Sequence, residues 1–191
     1  MKKAALHNLG CKVNAYETEA MQHLLEEAGY EIVPFTQKAD VYVINTCSVT
    51  NMADRKSRQM LHKAKKNNPD SIVVAAGCYV QTSEKEVLND LSVDIVIGND
   101  RKHDLVRLLE EYSLDSVNDT VDDINDGKHD FEELFIDQTK EHTRAFIKVQ
   151  DGCNQFCSYC IIPYARGRVR SRRFENVIAE VERLAANGFK G

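Results

Sequence analysis

Val41-Tyr42-Val43-Ile44-Asn45-Thr46-Cys47 is the stretch that decides the class of fold open to this sequence. Val41–Asn45 has the length and apolar content of a strand buried on both faces, and Thr46-Cys47 ends it. Four other segments have strand character: Ala4–Leu9, Glu31–Phe35, Ile72–Ala76 and Asp94–Ile97. Helical patterns lie between or after them, in Glu17–Ala28, Ala53–Asn67, Ser83–Leu91 and Lys102–Tyr112. This alternation predicts an α/β fold with an open, mostly parallel sheet and helices on both faces.

Three of these strands end within two residues of a cysteine, namely Cys11, Cys47 and Cys78. Because ligands of open α/β sheets gather beyond the carboxyl ends of the strands, we expect the three cysteines to lie at one edge and share a ligand. The alternative is that each cysteine is a small buried hydrophobe.

A second group of cysteines follows in Cys153-Asn154-Gln155-Phe156-Cys157-Ser158-Tyr159-Cys160, with the spacing C-x3-C-x2-C. Structural zinc sites use four ligands, commonly in pairs, and no second pair is present in this run. Three thiolates suit a cuboidal iron–sulfur cluster whose remaining iron is open to a substrate or cofactor. Zinc and buried structural thiols remain the alternatives.

The formal net charge of −5 over 191 residues conceals an uneven distribution. Residues 110–133 hold ten Asp or Glu and one Lys, so the rest of the chain is basic. We therefore predict a solvated acidic linker over 113–143, between a domain over 1–112 and the beginning of another over 144–191. The acidic balance does not exclude a nucleic-acid partner.

The distribution of apolar residues predicts a cytoplasmic protein without a membrane partner. No apolar stretch approaches the length of a membrane span, and the first residues lack the features of a signal peptide. Residues 144–191 offer one strand, Ala145–Gln150, and one helix, Arg173–Asn187. These cannot bury a barrel core, so we predict that Gly191 is a point of truncation.

Both cysteine triplets resemble those of the methylthiotransferase family of radical S-adenosylmethionine (SAM) enzymes. The resemblance rests on Leu9-Gly10-Cys11-Lys12-Val13-Asn14, Ile44-Asn45-Thr46-Cys47, Gly77-Cys78-Tyr79 and the C-x3-C-x-aromatic-C run, in which Tyr159 is the aromatic residue. It covers residues 4–112 and 144–191, and it implies that a partial (β/α) barrel begins in the second part.

Two 4Fe–4S clusters and SAM are the cofactors that this resemblance implies. Cys153, Cys157 and Cys160 would hold the cluster that binds SAM, with Tyr159 beside the adenine of SAM or, alternatively, only a packing aromatic. Cys11, Cys47 and Cys78 would hold the auxiliary cluster. An electron donor, which the sequence does not identify, would be a further partner.

The branch that the motifs most resemble adds a methylthio group at C2 of N6-threonylcarbamoyladenosine, next to the anticodon of tRNA. A methylthiotransferase acting on isopentenyladenosine in tRNA is one alternative, and a zinc-stabilised RNA-binding module without catalysis is another. If the chain is truncated, we expect it to be inactive by itself.

An arginine-rich run follows the second triplet. Arg166, Arg168 and Arg170 would share one face of an extended segment, where their guanidinium groups could contact RNA phosphates. The alternatives are a solvated basic edge or ion pairs with the acidic linker. The basic helix Ala53–Asn67 is a second, weaker candidate for RNA contact.

Overall fold

The computed structural model describes residues 1–112, 118–127, 129–136 and 145–189. Within these ranges one sheet has six strands: β1 Lys3–Asn8, β2 Glu31–Ile32, β3 Val41–Thr46, β4 Ile72–Gly77, β5 Ile95–Ile97 and β6 Asn118–Thr120. Their order is β2-β1-β3-β4-β5-β6, and every neighbouring pair is parallel. The predicted α/β fold with an open parallel sheet is confirmed.

Helices cover both faces of the sheet. One face packs against α1 (Lys12–Glu27) and α5 (Leu105–Glu111), with a 3₁₀ turn at Lys102–Asp104 before α5; the other packs against α2 (Asn51–Asn67), α3 (Cys78–Thr82) and α4 (Glu84–Leu88). Alternate side chains of β3 enter the two cores: Val41 and Val43 lie on the α1 side and Tyr42 and Ile44 on the α2 side.

Two helices differ from their predicted bounds. α1 begins at Lys12, directly after Cys11, instead of at Glu17. The helix predicted around Ser83–Leu91 is limited to α4, and the unpredicted helix α3 precedes it. The backbone of Ser83 (φ −134°, ψ 36°) interrupts the helical path between the two.

The acidic segment is not a solvated linker where the structure describes it, which corrects that prediction. Asn118–Thr120 forms β6 on the outer side of β5, while Ile124, Leu134 and Ile136 are buried. Leu134 and Ile136 pack with Tyr16 of α1. The density of acidic residues concealed these few apolar positions. The rest of the predicted linker, residues 113–117, 128 and 137–143, lies outside the described residues, and the division into domains stays a prediction.

The second part of the chain contains a short antiparallel pair and two helices. β7 (Gln150–Asp151) pairs with β8 (Arg170–Ser171), and α6 (Ile162–Arg166) and α7 (Phe174–Ala186) flank β8 in sequence. The predicted strand Ala145–Gln150 is therefore limited to its end. The start of a barrel stays a prediction, and Gly191 lies outside the described residues. Among the helices that are described, none has both the length and the apolar character needed to span a bilayer.

Candidate functional site

The first cysteine triplet lies beyond the carboxyl ends of three adjacent strands. Cys11 follows β1, Cys47 follows β3, and Cys78 follows β4. The chain leaves β1 for β2 on one side and later returns to β3 on the other, so the connections reverse direction between β1 and β3. This reversal is the position at which doubly wound sheets bind ligands, and Cys11 and Cys47 flank it.

Two glycines with left-handed backbones let the cysteine loops approach one another. Gly10 has φ +119°, and a Cβ on it would stand 2.9 Å from the Sγ of Cys47. Gly77 has φ +98°, and a Cβ there would stand 2.5 Å from Oδ1 of Asn45. A side chain on Gly10 would meet Cys47 and one on Gly77 would meet the end of β3, so glycine is required at both positions.

Asn14 joins the loops of Cys11 and Cys47. Its Nδ2 donates hydrogen bonds to the carbonyl oxygens of Leu9 (2.9 Å) and Thr46 (2.8 Å), and its Oδ1 accepts a contact at 3.7 Å from the Cys11 thiol. The side chain is buried, so these bonds are shielded from water.

Hydrogen bonds with Ser57 and Asn99 hold Cys47 and Cys78 in place. Ser57 of α2 accepts a hydrogen bond from the backbone N–H of Cys47 and donates one to its carbonyl, both at 3.3 Å. Asn99 donates to the Sγ of Cys78 (3.7 Å) and to the carbonyl of Ala165 in α6 (2.5 Å). Asn99 therefore connects the first triplet to the helix that follows the second.

A buried ion cluster links the two parts of the chain; its members are Glu17, Lys102, Lys148, Asp151 and Arg166. Arg166 donates to Oε1 of Glu17 at 2.8 Å and to both carboxylate oxygens of Asp151 at 3.1 Å. Nζ of Lys148 lies 2.7 Å from Oε1 of Glu17 and 2.6 Å from Oδ2 of Asp151. Nζ of Lys102 lies 3.3 Å from Oε2 of Glu17. All five residues are buried.

The ion cluster reaches the first cysteine triplet through Arg166. Its second guanidinium nitrogen donates to Oδ1 of Asn14 at 2.8 Å, and the same oxygen contacts the Cys11 thiol. α6, which ends at Arg166, also packs against α3, which begins at Cys78. The loops of both triplets are thus tied to one buried set of charges.

Burial and opposite charge have opposing effects on the pKa values of Glu17 and Arg166. Burial alone would raise the pKa of Glu17, but Arg166, Lys102 and Lys148 hold it well below its usual range. Burial would lower the pKa of Arg166, but Glu17 and Asp151 raise it well above the usual value. Glu17 and Arg166 are therefore charged at neutral pH.

The donor set of the first triplet fits an anionic cluster held by thiolates. Burial and the charge of Glu17 raise the pKa of Cys78, and the nearby Arg166 and Lys102 offset only part of this increase. The ion cluster contains three cations and two carboxylates, so one positive charge is in excess beside the cysteines. Excess positive charge stabilises thiolates, and the N–H group of Asn99 at Cys78 is the kind of outer contact that orients metal ligands.

The second triplet lies in a more open loop. Cys157 is exposed, and Cys153 and Cys160 are half-buried. The backbone N–H of Cys153 donates to the carbonyl of Gly167 (3.0 Å), and that of Cys160 donates to the carbonyl of Cys157 (2.9 Å). All six cysteines are free thiols, so every one is chemically available as a ligand. Assignment of either triplet to a cluster stays a prediction.

Ligands of a single metal ion must converge on one point, and the described part of the chain contains no such set of three His, Cys, Asp or Glu residues. Thiolates of a cuboidal cluster each bind a different iron, so they need not converge in this way. Tyr159 is 91% exposed. Its position beside the adenine of SAM stays a prediction.

The predicted arginine face is wrong for two of its three members. Arg166 lies in a helix and in the buried ion cluster, and Arg170 is buried against Asp100 (2.5 Å). Arg168 is exposed. The alternative of pairing with the acidic segment holds for Arg172, whose Nε donates to Glu133 at 2.9 Å. The carboxylates that bury these arginines are distant in sequence, so the spacing of the run could not reveal them.

Sequence reasoning missed the residues that connect the cysteine loops, namely Asn14, Glu17, Ser57 and Asn99. Their only signal was position: Asn14 stands three residues after Cys11, and Asn99 follows directly after the strand Ile95–Ile97 and Gly98. Neither position distinguishes a buried polar connector from a surface residue.

Residues 3–98 match a family model described as Uncharacterized protein family UPF0004. A threonylcarbamoyladenosine tRNA methylthiotransferase MtaB of Bacillus subtilis (strain 168) is 46% identical over 100% of this chain and 42% of the relative. Another so named, from Aquifex aeolicus (strain VF5), is 44% identical over 98% of this chain and 46% of the relative. A tRNA-2-methylthio-N(6)-dimethylallyladenosine synthase of Thermoanaerobacter sp. (strain X514) is 35% identical over 97% of this chain and 40% of the relative. The chain spans less than half the length of these relatives.

Proposed function

Because the chain belongs to the uncharacterized protein family UPF0004 and carries two cysteine triplets, we propose that it is part of a radical SAM tRNA methylthiotransferase. The observation that carries the proposal is the connection of both triplet loops to one buried ion cluster through Asn14 and Arg166. An enzyme that makes a radical at one site and delivers sulfur from another needs the two sites at a fixed separation.

In this proposal Cys153, Cys157 and Cys160 hold the 4Fe–4S cluster at which SAM binds, and Cys11, Cys47 and Cys78 hold the auxiliary 4Fe–4S cluster. When bound, these groups supply radical generation and the sulfur of the methylthio group. The chain's own residues orient the ligands: Asn14, Ser57 and Asn99 fix the thiol-bearing loops, and the ion cluster fixes one loop system against the other.

The substrate that we propose is N6-threonylcarbamoyladenosine in tRNA, modified at C2 of the adenine. Its support is that the relatives with this name are 46% and 44% identical to the chain, whereas the dimethylallyladenosine synthase is 35% identical. The isopentenyl-type adenosine is the second candidate. We also propose that the reaction takes place in the cytoplasm and uses an electron donor, which the sequence does not identify.

Anaerobic reconstitution followed by iron, sulfide and zinc analysis tests the cluster assignment. We expect about eight irons per chain for two 4Fe–4S clusters. Cys157→Ala should remove about half of the iron and abolish SAM cleavage, while Cys47→Ala should remove a similar amount and leave SAM cleavage in place. Ser158→Ala, which changes an exposed neighbour of Cys157, is the matched control. Zinc bound without sulfide, or SAM cleavage by Cys157→Ala, would show the assignment to be wrong.

Because the chain spans less than half the length of its relatives, the substrate is tested with a reconstituted protein that contains this chain at the full length of those relatives. It is incubated with SAM, sulfide and a reductant and either of two tRNAs. One tRNA carries N6-threonylcarbamoyladenosine and the other carries isopentenyladenosine, and nucleoside mass spectrometry follows. Methylthio addition to the first alone supports the proposal, and addition to the second alone supports the alternative.

A further inference from the structure

Three side chains beside the second cysteine triplet form a stacked set on the surface, which we call the stacking platform: Phe156, Tyr164 and Arg168. The rings of Phe156 and Tyr164 meet edge to face with centroids 5.5 Å apart. The guanidinium carbon of Arg168 lies 4.3 Å from the centroid of the Phe156 ring. Tyr164 is 55% exposed and Arg168 is exposed, so water covers an aromatic and cationic face.

The backbone is shaped to present this platform. Phe156 has φ +47°, a left-handed conformation that is a genuine outlier for a bulky residue. Two bonds hold its loop in place: Oδ1 of Asn154 accepts from the N–H of Val169, and the N–H of Cys153 donates to the carbonyl of Gly167, both at 3.0 Å. Strain of this kind persists where the surroundings fix it, and it is concentrated at ligand sites.

Arg168 differs from Arg166, Arg170 and Arg172 in having a guanidinium group open to a ligand. Arg166, Arg170 and Arg172 all form ion pairs with carboxylates. Among the described residues, Arg168 has no carboxylate partner and contacts the Phe156 ring instead. Its charge is therefore available to a phosphate that arrives with a base.

We infer that the stacking platform binds an unpaired base of the RNA, next to the adenosine that is modified, an inference that rests on the proposed function. Aromatic faces with an adjacent arginine are the surfaces that single-stranded bases stack on. Phe156 directly precedes Cys157, and Tyr164 stands four residues after Cys160. An adenosine brought to this loop carries its flanking nucleotide over the platform. A base inside a duplex has no free face to offer.

The test measures binding of the reconstituted chain to an anticodon stem-loop RNA with 2-aminopurine beside the target adenosine. Tyr164→Leu and Phe156→Leu should weaken binding by about 5- to 150-fold, the range that corresponds to one base stacked on an aromatic side chain. With these variants the 2-aminopurine fluorescence should stay near that of free RNA. Phe156→Tyr, which keeps an aromatic ring, should restore both signals. Phe174→Leu, at a 72% exposed ring outside the platform, is the matched control and should bind as the unchanged chain does.

Arg168→Gln separates charge from stacking. It should lower the slope of log affinity against log salt by about one, whereas Tyr164→Leu should lower affinity equally at every salt concentration. Thermal unfolding of each variant checks that the chain as a whole remains folded.

Binding within two-fold of the unchanged chain by both leucine variants would overturn the platform and leave the proposed function standing. Equal affinity for a fully paired RNA would also overturn it. If the unchanged, cluster-loaded chain does not bind the stem-loop at all, the proposed RNA substrate fails and this inference fails with it.

Discussion

Arg166→Met is the substitution for which the structure sets the clearest cost. Arg166 is 4% exposed and donates five hydrogen bonds, to Glu17, Asp151 and Asn14. Removing one member of a buried ion pair costs about 3–5 kcal/mol, because its partner stays buried and uncompensated. Here Lys102 and Lys148 remain and balance the two carboxylates. We therefore expect the lower end, about 3 kcal/mol of the free energy of unfolding.

Glu17→Gln should cost more than Arg166→Met, although it changes fewer atoms. It leaves three buried cations facing Asp151 alone, so we expect the upper end of the same range, about 5 kcal/mol. The double variant removes one charge of each sign. It should therefore cost less than the sum of the single variants by about 0.5–3 kcal/mol.

Urea unfolding of the reduced, metal-free chain, followed by circular dichroism, measures these differences. Arg173→Met, at an exposed arginine, is the matched control and should change the free energy of unfolding by less than about 0.5 kcal/mol. Arg166→Lys keeps the charge and serves if the methionine variant does not fold. The reasoning is refuted if Arg166→Met lies within about 1 kcal/mol of the unchanged chain, or if it costs more than Glu17→Gln.

Two further predictions concern backbone conformation and pH. Gly77→Ala should destabilise the chain by more than Gly29→Ala; both glycines have positive φ, but a Cβ on Gly77 would meet Asn45 at 2.5 Å and one on Gly29 would meet nothing. Thermal unfolding compares them, and equal losses would show that the close approach is unimportant. The hydrogen bond to Glu132 raises the pKa of His103 above 6.5. The stabilisation that protonated His103 gives to the folded chain is therefore complete below pH 6.5. It is lost as pH rises through the raised pKa of His103. The free energy of unfolding should differ between His103→Asn and the unchanged chain by more at pH 6 than at pH 9, by less than about 1 kcal/mol because the side chain is 50% exposed. A difference that does not change with pH would contradict this.

The layers of the fold could be predicted because their signals are local. The apolar run within Val41–Thr46 and the helical spacing of α1 and α2 each depend on residues close together in sequence. The order of the strands could not be predicted, since no local pattern states which strands become neighbours. β6 escaped notice because Asn118–Thr120 is polar and becomes a strand only by pairing with β5.

The candidate site divides in the same way. Cysteines placed after strands predicted the edge at which Cys11, Cys47 and Cys78 lie. The burial of Arg166 depends on Glu17, which is 149 residues away, and spacing within the arginine run carries no sign of that partner. A run of arginines is typical of both an exposed basic face and a set of buried ion pairs, and only tertiary contacts distinguish them.

The polar strand β6 also determines where the first half of the protein could be cut. A polypeptide ended at Tyr112 would lack Asn118–Thr120, so one side of Ile95–Ile97 would lose its pairing partner. Unpaired apolar strands recruit copies of themselves, and such a shortened polypeptide would tend to aggregate. A polypeptide extended through Thr120 would keep β5 paired with β6. The acidic segment that contains β6 therefore protects this side of the sheet from self-association.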